Sequence, residues 1–144
     1  LDALLFGLEQ SAIGQSMRAW RWLYPIVNTA HIFGIAMLFG ALLPLHMRHF
    51  GLWKQVDTEA LARVLVPVAM AGLAIAIAAG GLMFTTDARK YLGMPLFQAK
   101  VGLICFGAAN ALFLARRRAT RRAALISLVC WTGAIICGRF IGYV

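Results

Sequence analysis

Tyr24-Pro25-Ile26-Val27-Asn28-Thr29-Ala30-His31-Ile32-Phe33-Gly34-Ile35-Ala36-Met37-Leu38-Phe39-Gly40-Ala41-Leu42-Leu43 holds one side chain that titrates near neutral pH, and it sits close to the middle. About 20 apolar residues in a row suffice for a helix to cross the hydrocarbon core of a bilayer. Helical rise of about 1.5 Å per residue then puts the His31 ring roughly 13 Å inside. Ionisable groups at that depth face a bundle interior or a cavity, and they are functional-site candidates by default.

Working outward, the composition names the same solvent. The 144 residues are 62% hydrophobic and 13% charged, with a mean hydropathy of +0.80, whereas a soluble domain is about a quarter charged. Charges confined to short stretches predict spans at about 22–47, 62–86, 96–115 and 123–143. Barrel strands are only about 10 residues long and alternate in polarity, which these runs do not. The expected fold is an all-α integral membrane protein: one domain, a four-helix transmembrane bundle, preceded by an amphipathic interfacial helix over 1–18. In that helix Leu1, Leu4, Leu5, Leu8 and Ala12 recur at helical spacing, and Asp2, Glu9, Gln10 and Gln15 lie off the stripe. The stripe suits packing against the bundle as well as binding a surface. Trp20, Trp22 and Tyr24 form an aromatic belt at the membrane entry, and Pro25 suits a first helical turn.

A net charge of +9 raises nucleic acid as a partner, but the basic residues are placed for a bilayer. Arg116, Arg117, Arg118, Arg121 and Arg122 share the loop between the third and fourth spans. Arg48, Lys54 and Arg63 flank the link between the first and second, on the same side. The positive-inside rule makes that side cytoplasmic and places both termini outside. Cys105, Cys130 and Cys137 lie within spans at no zinc-type spacing and read as packing residues. Because the chain begins at Leu1 rather than methionine, its true start is left open.

Counting depth from the outer surface surrounds His31 with mostly small residues: Ala76, Ile77 and Ala78, next to Ala79, Gly80 and Gly81, on the second span, Cys105 and Gly107 on the third, Gly133 and Ala134 on the fourth. Together with Gly34, one turn along, they either make room for a flat cofactor or simply let helices pack closely. Lys100 and Arg139 lie about 6 Å below the outer surface by helical rise, with Arg18, Arg21, Asp87, Arg89, Lys90 and Glu9 near that height. The cations either hold an anionic ligand, or snorkel and pair with Glu9 and Asp87 to clamp the interfacial helix. Asn28 and Asn110 are expected to bond between helices. His46 and His49, three residues apart at the inner end of the first span, suit copper in one reading and plain interfacial residues in the other. Bis-histidine haem needs two rings per iron, and the chain has three histidines in all. His31 and His46 are nearly four helical turns apart, which would let two haems stack along one helix, with Met70 and Met83, or a second copy of the chain, completing the two sites.

Trp22-Leu23-Tyr24-Pro25 with His31 and Gly34, Phe97-x-x-Lys100 with Asn110, and Ser127-Leu128 with Trp131 and Gly138-Arg139-Phe140-Ile141 together resemble a family of small bacterial four-span proteins of uncharacterised function. More distantly the chain is similar to the membrane domain of the copper-resistance D family and to four-helix b-type cytochromes. The distant likeness implies haem b, with His31 as a ligand and Lys100 and Arg139 holding its propionates.

No acid, base and nucleophile converge, so no catalytic residue is assigned and the chain is not expected to be an enzyme on its own. One expectation is an accessory or homo-oligomeric membrane subunit, with the bilayer and other membrane subunits as partners and no nucleic acid. In it His31 bonds inside the bundle, to Asn110 or a backbone carbonyl. The alternative is a haem b electron-transfer or copper-handling protein built on His31. A pore or transporter is a third option, with no acidic residue within a span to serve it.

Overall fold

The computed structural model describes residues 2–116 and 120–143; Leu1 of the N-terminal stripe and Arg117 and Arg118 of the basic loop lie outside them. The described chain is all-α, in the order α1 (Asp2–Glu9), α2 (Ala12–Ala19), α3 (Leu23–Phe50), α4 (Thr58–Phe84), α5 (Ala88–Gly93), α6 (Pro95–Arg116) and α7 (Arg121–Phe140), closed by a 3₁₀ turn over Ile141–Tyr143. Helices α3, α4, α6 and α7 are each long and apolar enough to cross a membrane, which makes this a multi-pass membrane protein.

Local chemistry sets the element ends. Asp57 caps α4 by accepting from the Ala60 amide at 2.8 Å, and Thr120 caps α7 through the Ala123 amide at 3.3 Å. Helix α3 stops at Gly51, whose φ of +105° is open to glycine. Its amide reaches the Arg48 carbonyl while the Leu52 amide reaches that of Met47, the paired bonds that close helix C-termini.

The N-terminal segment departs from the single helix expected over 1–18, being broken at Gln10 and Ser11 into α1 and α2. Ser11 is the cause: its hydroxyl accepts from the Gly14 amide, starting α2, and donates to the Leu8 carbonyl, finishing α1. Gly14 then passes where a Cβ would meet the Glu9 and Thr85 carbonyls at 2.7 and 2.8 Å. Helix α5, which the sequence pattern does not announce, seats a fully buried Ala88.

Two antiparallel hairpins, α3/α4 and α6/α7, make the bundle, and α3 packs on α7 to join them. On α3 the seam is Val27, His31, Gly34, Leu38, Ala41 and Leu45; on α4 it is Ala69, Gly72, Ala76 and Ala79. Alternating steps of three and four residues are the spacing of left-handed supercoiled packing. Trp131 of α7 closes a core with Leu38, Ala41 and Ala69, while Met17 of α2 joins Val27 and Ala79 near the other end.

Candidate functional site

His31 reaches the α3/α4 seam in the half of the bundle nearest α1 and α2. Its Nδ1–H donates to the Ala76 carbonyl of α4 at 2.7 Å. The carbonyl can only accept, so this bond fixes the tautomer and leaves Nε2 with its lone pair. The half-buried ring rests on Gly80, one turn beyond Ala76: a Cβ there would stand 3.0 Å from the ring's Cε1. Of the two partners considered for His31, a backbone carbonyl is the one used. Asn110 instead donates through Nδ2 to the Ala123 carbonyl at 2.9 Å, tying α6 to α7.

The space beside Gly34 is already taken by protein. A Cβ on Gly34 would lie 2.6 Å from the Ala76 nitrogen and 2.7 Å from the Gly72 oxygen, and one on Gly72 would lie 2.6 Å from the Leu38 nitrogen. These glycines let two backbones touch, and the recess imagined for a flat cofactor at Gly34 is filled by α4.

Lys100 and Arg139 take different roles. The half-buried Lys100 lays its stem across α7 at Gly138, where a Cβ would meet Nζ at 3.3 Å and Cε at 3.4 Å. Arg139 is exposed and turns to Tyr143, donating to its hydroxyl at 2.6 Å with the guanidinium 5.0 Å from the ring centre.

The clamp on the N-terminal segment runs through Glu9, and its cation is Arg89. Glu9 Oε1 accepts from the Arg89 amide at 2.9 Å, and Oε2 accepts from Arg89 Nε at 3.0 Å and lies 2.9 Å from Nη2. Arg18 donates to the Glu9 carbonyl and, at 2.9 Å, to that of Thr86. Asp87, the other carboxylate at this height, makes no side-chain cap at α5, which it precedes. The Arg89 hydrogen bonds hold the buried Glu9 carboxyl below the ordinary carboxylate range.

At the opposite end, His46 is buried with Nε2 unpaired, and His49 bonds its own helix through Leu45 at 2.7 Å. Among the described residues no group of three His, Cys, Asp or Glu side chains could hold a metal. Met83 packs against the Met17–Val27–Ala79 cluster and Met70 is exposed. Of the His31 ring nitrogens, Nδ1 is committed to Ala76 and Nε2 is the one left to accept.

Depth counting missed Gly72, Gly138, Ser127 and Trp131, although the three-and-four spacing along α3 and α4 was available to find the first. No family model, no curated protein and no solved structure matches the chain.

Proposed function

We propose that the protein is a small integral subunit of a bacterial inner membrane, homo-oligomeric or accessory to a larger membrane complex, with both termini outside and no catalysis of its own. The observation that carries this reading is the α3/α4 seam: backbones meet at Gly34 and Gly72, and His31 spends its one N–H on the Ala76 carbonyl across it. A histidine so placed is a clasp between spans. Gentle solubilisation followed by mass determination tests it. A particle heavier than the 15.7 kDa chain, or stable co-purifying membrane proteins, is expected. A lone monomer refutes the reading.

A second reading is favoured by His31 Nε2. Metal-ligating histidines usually donate their other ring N–H to a carbonyl or carboxylate, and the Ala76 bond does this. On that reading the protein binds haem b, His31 supplies one axial ligand, and water or a second copy supplies the other. Oxidised and reduced visible spectra decide: a haem band lost in His31→Ala establishes it, and a colourless folded protein sinks it.

A further inference from the structure

We propose that Gly51, Lys54 and Arg121 form a binding site for the phosphodiester headgroup of an anionic phospholipid, with Leu52 and Trp53 set beside it at the acyl boundary. The convergence is geometric. A Cβ on Gly51 would lie 3.7 Å from Lys54 Cε and 4.0 Å from Arg121 Nη2, and, its chain neighbours apart, within 4 Å of no other atom of the described residues. Two cations from separate elements, the loop after α3 and the first residue of α7, thus close over a residue that presents no side chain.

Neither cation has a carboxylate to answer it. The chain holds five acidic residues. Asp2, Glu9 and Asp87 belong to the far end of the bundle, where Glu9 and Arg89 make the ion pair present among the described residues. Asp57 is engaged as the cap of α4 and Glu59 is exposed in that helix's first turn. Two cationic side chains that both border Gly51 favour an anion there, because each lowers the energy of a negative group beside them.

The loop is shaped rather than slack. Arg48 braces it from inside, donating through Nε to the Val56 carbonyl at 2.7 Å and through Nη2 to that of Lys54 at 3.2 Å. Trp53 is held at φ +49°, uncommon for a bulky residue. The result turns Leu52 and Trp53 outward, 46% and 49% exposed. A soluble phosphate has no use for exposed apolar side chains. A lipid does, since Gly51 directly follows the last residue of a span and an amphipathic indole favours the headgroup level. The site stands on the membrane-spanning reading alone and holds whether or not His31 binds a cofactor.

The test uses the full chain with Trp20→Phe and Trp22→Phe, so that Trp53 dominates the lipid-accessible fluorescence, reconstituted in phosphatidylcholine vesicles. Quenching is titrated with brominated phosphatidylglycerol or brominated phosphatidylcholine. Half-saturation is expected at a lower fraction of the anionic lipid, and Lys54→Gln or Arg121→Gln should each raise that fraction about fivefold, the worth of one surface cation toward anionic lipid. Arg63→Gln removes the same charge from the same end and should leave it unchanged. Equal quenching by both lipids, no shift in either variant, or an equal shift in Arg63→Gln overturns the proposal. So does inorganic phosphate that abolishes the preference, which would make this a site for a free anion.

Discussion

Placing a methyl group in the α3/α4 contact should separate two helices that lattice-like packing otherwise holds together. At Gly34 the new Cβ would stand 2.6 Å from the Ala76 nitrogen and at Gly72 2.6 Å from the Leu38 nitrogen, both rigid backbone atoms. Ordinary contact requires the helices to part by about 0.8 Å, and a gap of that size forfeits roughly a quarter to a half of each van der Waals contact along the seam. Gly34→Ala and Gly72→Ala should therefore each cost about 1–3 kcal/mol, the usual range for overpacking. Gly40 and Gly102 meet nothing within 4 Å, so Gly40→Ala and Gly102→Ala should be neutral or up to about 1 kcal/mol stabilising through helix propensity. The double variant Gly34→Ala/Gly72→Ala should cost less than the summed singles by about 1 kcal/mol, since the second methyl enters a gap the first has opened. Reversible unfolding in mixed micelles, followed by circular dichroism, measures all five. Gly34→Ala as harmless as Gly40→Ala, or a strictly additive pair, would refute backbone contact at this seam.

Glu9→Gln should loosen α1 and α2 at neutral pH, read as faster amide exchange there than in α4. Because the folded Glu9 carboxyl titrates below its ordinary value, its contribution is complete above the ordinary carboxylate range and disappears as pH falls through the lowered folded value. Wild type and variant should converge below that pH, and a difference persisting there would count against the clamp. Asn110→Leu should cost about 0.6 kcal/mol and at most about 1.7, the span measured for side-chain hydrogen bonds between membrane helices; no loss in unfolding free energy would mean that the Ala123 bond carries nothing. Trp131 is 5% exposed and its Nε1 has no partner. Trp131→Phe removes an unpaired donor whose burial costs about 1–3 kcal/mol, which should nearly cancel the lost volume, whereas Trp131→Ala should cost about 3–5 kcal/mol. Equal losses in the two variants would show that the indole N–H is satisfied after all.

What could be seen in the sequence was one-dimensional. Apolar length and the charges between runs located four helices within a few residues of their ends, and depth counting put His31, Gly80 and Lys100 in one half of the bundle. Depth does not give the angle around a helix. Gly34 shares the seam with His31, and it looked like room for a ligand because the opposing face of α4, Gly72 and Ala76, was not rotated into view. The Ser11 break was local and readable, a hydroxyl three residues before an amide it caps, but an unbroken apolar stripe on both sides concealed it. The Ala76 carbonyl was beyond reach, since every residue offers one and only the fold selects which faces an imidazole.

That selection sharpens the question left at His31. A clasp between two membrane helices needs a single donor, and Asn110 achieves this at Ala123 with a primary amide. Histidine at the corresponding task brings a second nitrogen, basic and facing away from the carbonyl, that the clasp does not use. His31→Asn keeps a donor on α3 and removes that nitrogen, whereas His31→Ala removes both. If stability falls in the alanine variant and is restored in asparagine, while no spectrum or metal content changes in either, the imidazole serves as a clasp. If asparagine restores the fold and loses a bound chromophore, Nε2 is the reason a ring stands at position 31, and the Ala76 bond is the means by which the bundle aims it.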